Sequence, residues 1–127
     1  MKKQIINTSK APAPIGPYNQ SVKYGNMLFV SGQIPYNEET KQLINSGIVD
    51  ETHQVMKNIG HILSEAGLTF DQVLKATIFI KNMDDFSVIN EVYAQYFDAA
   101  FAPARECVQV ARLPRDVNIE ISVICAE

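Results

Sequence analysis

The order of strand-like and helix-like runs predicts an α/β (α+β) domain, β-β-(β)-α-β-α-β-β, whose mostly antiparallel sheet carries two helices on one face. Three observations predict it. Residues 55–66 and 86–97 each carry one apolar stripe at helical period, so each helix has a single face to bury. Gly25-Asn26 separates two apolar runs, as the turn pair of a β-hairpin does. The last twenty-one residues hold two further runs joined by a Pro-containing turn. With 127 residues the chain is long enough for one real core and too short for two, so residues 1–127 are expected to form one domain.

The hairpin arms are Gln20 to Tyr24 and Met27 to Gln33. The second arm ends in Ser31-Gly32, where a glycine marks either close approach of a ligand or backbone, or a simple bulge. Pro35 stops that strand, and a polar loop follows with room for a short strand at Lys41 to Ile44. Val55, Ile59, Ile62, Leu63 and Ala66 form the stripe of the first helix, Gly67 sits where a left-handed cap belongs, and Asp50 or Ser46 is expected to cap its start. Val73 to Lys81 is rich in β-branched residues and reads as a central strand. Asp84 or Asp85 caps a second helix with the stripe Phe86, Ile89, Val92, Tyr93, Tyr96 and Phe97, leaving Asn90 on its flank.

Two strands, Cys107 to Arg112 and Val117 to Cys125, finish the chain around the turn Leu113–Asp116. By alternation Val117, Ile119, Ile121, Val123 and Cys125 face one way, and Asn118, Glu120, Ser122 and Ile124 the other. Arg105, Cys107, Gln109 and Ala111 share a face of the preceding strand. That face is expected to lie with Glu120 on the side of the sheet away from the helices. A surface so mixed in polarity suits contact with another copy of the protein, so an oligomer with sites between subunits is expected.

Composition excludes several function classes. The net charge is −3 and no stretch concentrates Lys and Arg, which argues against nucleic acid as the main partner. No apolar run approaches a membrane span, and no apolar stretch follows the N-terminal lysines as it does in a secretory signal, so the cytoplasm is expected. Cys107 and Cys125 fit no CxxC pattern, and His53 and His61 are eight residues apart on one helix, so no metal site is expected.

The residues that carry chemistry lie in Pro103 to Ile121, PARECVQVARLPRDVNIEI. Arg105 cannot lose its proton and grips a carboxylate with a bidentate fork. Glu120 can move a proton or hold a water. The alternative is plain: an Arg and a Glu on neighbouring strands are often a structural ion pair.

This block, together with APIGPYNQ (Ala13 to Gln20), VSGQIP (Val30 to Pro35) and DDFSVINEVY (Asp84 to Tyr93), resembles the Rid (YjgF) family of reactive intermediate deaminases, and most closely its RidA branch. The resemblance runs from about residue 13 to the end. It implies a chorismate-mutase-like fold, a homotrimer with clefts between subunits, and no cofactor. It implies hydrolysis of 2-aminoacrylate, 2-aminocrotonate and their imines, released by pyridoxal-phosphate dehydratases, to 2-keto acids and ammonia. On this resemblance Arg105 holds the substrate carboxylate, Glu120 positions or activates the water, and Tyr18 offers a hydroxyl. Ser31, Gly32, Asn90 and Cys107 complete the cleft, and no His is placed to make Cys107 a nucleophile. Packing roles remain open for Tyr18, Asn90, Ser31 and Cys107.

Two residues depart from the family pattern. Glu106 stands where a small residue is usual and could compete for the Arg105 guanidinium, and Ser122 replaces a residue that is often acidic. The competing functions are a 2-keto acid sensor that binds without turnover, and a ribonuclease or chaperone role.

Overall fold

The computed structural model describes residues 2–127. Its elements are β1 (Gln4–Ile6), β2 (Ser21–Tyr24), β3 (Met27–Gln33), β4 (Tyr36–Asn37), β5 (Gln42–Leu43), α1 (Ile48–Glu65), β6 (Val73–Ile80), α2 (Phe86–Ala94), β7 (Ala104–Gln109) and β8 (Ile119–Ala126). Six strands form one sheet in the order β1-β2-β3-β8-β6-β7, and β4 pairs with β5 in a small ribbon. All neighbours in the large sheet are antiparallel except β6 and β7, which α2 joins as a parallel crossover. The predicted element order is therefore present, with β4 added in the expected polar loop and β1 added at an edge. Its three residues are too few to show a period of two.

Both helices cover one face of the sheet. Val55, Met56, Ile59, Ile62 and Leu63 of α1 and Ile89 and Tyr93 of α2 pack with Leu28, Val30, Ala76, Ile78, Ile119, Ile121, Val123 and Cys125 of the strands. The α1 stripe is thus the core face, and burying it supplies most of the helix's stability. Gly67 closes α1 at φ +75°, with Leu68 N–H donating to Leu63 O (2.8 Å), the pattern of a Schellman cap.

The start of α1 differs from expectation. Its N-cap is Gly47, and the Ser46 hydroxyl donates to the Asp50 carboxylate (2.7 Å) and accepts from no N–H of the helix. Asp85 occupies the N-cap of α2 without a side-chain bond, while Asn82 caps the preceding turn by accepting from Asp84 N–H. α2 also stops at Ala94. Tyr96 and Phe97 leave the helix and join Phe70 and Tyr93 in an aromatic cluster, so their apolar spacing reports a shared core and not a longer helix.

The pairing of β7 overturns the expected arrangement of faces. Arg105 stands opposite Ala76, which stands opposite Val123, and Cys107 stands opposite Ile78 and through it Ile121. Ala76, Ile78, Ile121 and Val123 are core residues, so Arg105, Cys107 and Gln109 project on the helix side. Glu120 stands opposite Phe79, which stands opposite Val108, and projects on the open side. Alternation within one strand assigns residues to shared faces, but only the register between strands says which faces coincide.

The open side carries Val22, Phe29, Phe79, Val108 and Ile124 with Thr77 and Ser122. Phe29 and Val108 are 45% and 42% exposed. Lys75 pairs with Glu106 at 2.8 Å on this side, so Glu106 is engaged away from Arg105.

Candidate active site

Two groups of residues emerge, on opposite sides of the sheet. The first is built around a bulge in β3. Val30 pairs with Val123 and Gln33 with Ile121, so Ser31 and Gly32 together face the single residue Ser122. A bulge of this kind re-aims side chains at a strand end. Here it brings the Gly32 backbone against Glu120. A methyl group at Gly32 would lie 2.5 Å from Oε1 and 2.7 Å from Cδ of Glu120, so only glycine lets that carboxylate occupy its place.

The cavity in front of Glu120, about 730 Å³, is lined by Tyr18, Ser31, Gly32, Tyr36 and Arg115 among others. Gln20 organises one wall. It is 2% exposed, its Oε1 accepts from Thr8 N–H (2.6 Å), and its amide donates to the carbonyls of Thr8 (3.0 Å), Ala11 (3.1 Å) and Pro12 (2.8 Å). The Ser31 hydroxyl donates to Asn19 O (2.6 Å), which ties the loop before β2 to the bulge. Tyr18 is half exposed, and its phenol oxygen accepts from Ile15 N–H (3.3 Å). Asn58 holds the opposite wall by donating to Ile34 O (3.1 Å) and Tyr36 O (2.9 Å) from a fully buried position.

Burial raises the Glu120 pKa above the usual glutamate range, with no neighbouring cation lowering it. Its carboxylate is a better proton acceptor for that reason.

The second group surrounds Arg105. The guanidinium lies over the rings of Tyr93 (5.0 Å to the centroid) and Phe86 (5.6 Å) and has no carboxylate partner among the described residues. Such a cradle holds the cation by its π faces and leaves its donor edge free. Phe86, Asn90 and Tyr93 are spaced i, i+4, i+7 along α2, so partly exposed Asn90 lies in the same row as the two rings. Cys107 follows Arg105 on this side, half-buried, and burial pushes its thiol pKa up, which makes it a poor nucleophile. Cys107 and Cys125 are both free thiols, the latter pushed up to about 12.

The structure therefore brings Tyr18, Ser31, Gly32 and Glu120 to one cavity, and Arg105, Cys107 and Asn90 to the other side. It does not bring the two groups together within one chain. Sequence reading missed four contributors: Phe86 and Tyr93 passed as core stripe, Arg115 as turn, and Gln20 as an ordinary strand residue. Nothing in the sequence marks these four, since the burial of Gln20 and the packing of the two rings appear only in the structure. No group of three or more His, Cys, Asp or Glu is placed to hold a metal ion among the described residues. No helix among them is long and apolar enough to cross a membrane.

The family model described as Endoribonuclease L-PSP matches residues 8–127. The chain belongs to the Rid (YjgF) family. A RutC family protein of Synechocystis sp. is 47% identical over 98% of this chain and 96% of its own length. The 2-iminobutanoate/2-iminopropanoate deaminase of Capra hircus is 44% identical over 98% of this chain and 90% of that protein. The crystal structure of E. coli TdcF with bound serine superposes with a TM-score of 0.91 at 45% identity, covering 98% of each chain. The Rid fold is thus the fold of this chain, in agreement with the chorismate-mutase-like α/β arrangement expected of the family.

Proposed function

We propose that this Rid-family protein hydrolyses 2-enamine and 2-imine acids, such as those of 2-aminoacrylate and 2-aminocrotonate, to 2-keto acids and ammonia. The reading rests on one observation above all: a half-buried carboxylate of raised pKa, Glu120, sits against a backbone that only glycine allows, in a cavity that Tyr18 also lines. The naming of 44%-identical relatives as imine deaminases supports it. So does a relative's structure with bound serine, a small molecule carrying the same carboxylate and C2 nitrogen.

An enamine first takes a proton at C3 to become the protonated imine, and the reaction adds water to C2 of that imine. Glu120 takes a proton from the water as its oxygen bonds to C2, giving a carbinolamine. That proton is returned to nitrogen, the C–N bond breaks, ammonia leaves, and the second hydroxyl proton is lost as the C2 carbonyl forms. Arg105 holds the substrate carboxylate by a bidentate pair, fixing C2 before the attacking water.

Arg105 and Glu120 lie two strands apart on opposite sides of the sheet, so one chain cannot present both to one small acid. The site is complete only where the Arg105 side of one copy meets the Glu120 side of another, in a homotrimer with three such clefts. The open sheet face, with exposed Phe29 and Val108, is the apolar surface such an assembly would cover. The cytoplasm, where dehydratases release these intermediates, is the expected compartment.

The test couples a serine or threonine dehydratase to keto-acid release. Wild type should accelerate release, and Arg105→Ala and Glu120→Ala should each abolish the acceleration. Unfolding the two variants together and refolding them as a mixture should restore about a quarter of wild-type activity, since one in four randomly formed clefts combines an intact Arg105 with an intact Glu120. A mixture that stays inactive while forming trimers overturns the shared cleft. Wild type that binds keto acids without accelerating release overturns the deaminase in favour of a sensor.

A further inference from the structure

We propose that Arg115 is a second anion-holding residue of the Glu120 cavity, and that it makes the protein favour 2-imino acids whose side chain ends in a carboxylate of its own. The inference rests on the deaminase reading and adds the substrate class to it.

On one chain the cavity is open on one side and reaches from Glu120 past Tyr36 to Pro114 and Arg115. Arg115 and Pro114 line it together with Tyr36, Tyr18 and Glu120. The Arg115 guanidinium lies over the Tyr36 ring, 5.4 Å from its centroid, and the Tyr36 backbone is pinned by buried Asn58. The cation therefore rests on a fixed aromatic surface at the cavity wall, with the donor edge of its fork unused.

Two of the surrounding carboxylates are already matched. Asp116 accepts from Arg112 through two bonds, Nε–Oδ1 at 2.7 Å and a second at 3.3 Å. Glu38, which also lines the cavity, is paired with Lys41. Among the described residues Arg115 forms no salt bridge and no side-chain hydrogen bond, so it is the unmatched cation of a cavity whose other ionised wall residues are carboxylates. Its backbone is left-handed, φ +57°, followed by Asp116 at φ +58°. Glycine or asparagine would suit such a turn better, and strained positions of this kind concentrate where a side chain must be presented to a ligand.

The chemistry follows from the two charged groups that line the cavity, Glu120 and Arg115. A dicarboxylic 2-imino acid would present C2 to Glu120 and its distal carboxylate to Arg115, while its first carboxylate is held as in the shorter substrates. A fork-to-carboxylate pair gives about a tenfold preference over a ligand that ends in a methyl group.

The test is calorimetric binding of 2-oxoglutarate and 2-oxobutanoate to wild type, Arg115→Gln and Arg115→Lys, each checked for melting temperature. Wild type should bind 2-oxoglutarate about tenfold more tightly, Arg115→Gln should bring the two affinities within about twofold, and Arg115→Lys should fall between. Absence of preference in wild type overturns the inference, and so does a preference that survives in Arg115→Gln. If Arg115 only pins its turn, the variants melt lower and both ligands weaken alike. A parallel turnover arm uses 2-iminobutanoate and 2-iminoglutarate, the latter made in situ by oxidation of glutamate. Hydrolysis of the first with discrimination against the second defeats this inference and leaves the deaminase standing. Hydrolysis of neither, with the binding ratio as expected, defeats the deaminase and leaves the Arg115 site standing.

Discussion

Gly32 is the residue whose absent side chain matters most. A Cβ there would displace the Glu120 carboxylate, and that carboxylate is the flexible end of a side chain, so the strand itself need not move. Gly32→Ala should therefore fold, with a melting temperature near wild type, and lose about a hundredfold in kcat/KM, because small misplacements of a reacting group are that costly. A variant that keeps its activity would show that the Glu120 position is not critical. Glu120 also sets the pH response. Burial raises its pKa, so the carboxylate, the form that accepts a proton, is populated only above the usual glutamate range. The acid limb of the kcat/KM profile should rise through a midpoint above 4.5, the ordinary glutamate value, and disappear in Glu120→Gln along with most activity. A limb below that value assigns the titration to another group.

Among the elements, the junction of α1 with the start of β8 carries an instructive tension. Glu51 is 4% exposed and accepts from Asn118 Nδ2 at 2.9 Å. Desolvation raises its pKa despite that hydrogen bond, and Asp85 adds like-charge repulsion. The folded state therefore binds a proton more readily than the unfolded chain, and stability is lost as pH rises from the unfolded value through the raised folded one. Glu51→Gln keeps an acceptor for Asn118 and removes the charge. The variant should gain stability relative to wild type at neutral pH, and the difference should vanish at low pH, as measured by urea unfolding across pH. A gain that is constant with pH would point to packing and not to ionisation.

At the scale of the molecule, the sheet has one covered face and one open one. The open face joins Val22, Phe29, Phe79, Val108 and Ile124, and Glu120 lies in the row of Phe79 and Val108. Assembly across this face and completion of the site should therefore fail together. Val108→Glu places a charge on an exposed residue, so the chain should fold with its circular dichroism unchanged. It should sediment as a monomer and lose about a hundredfold or more in deamination, since Arg105 and Glu120 then have no second copy to meet. A monomer with full activity would sink the intersubunit cleft.

Most of the fold was legible because its signals are local. The α1 stripe, the β-branched run of β6, the Gly25-Asn26 turn and the Gly67 cap each depend on residues within a few positions of one another, and each appears in the structure. The motifs that single out Arg105, Glu120, Tyr18 and Gly32 as candidate site residues are equally local. What the sequence could not carry was the relation between faces. Alternation along β7 groups Arg105 with Cys107, but the parallel register against β6 sends both to the helix side and away from Glu120. The same limit hid the ring cradle of Arg105 and the wall formed by Tyr36 and Arg115, whose members are joined only by packing between elements far apart in the chain. Period and propensity act over a turn or a strand, whereas register and packing are settled by the whole core at once, and the placing of Arg105 and Glu120 on opposite sides of the sheet belongs to the second.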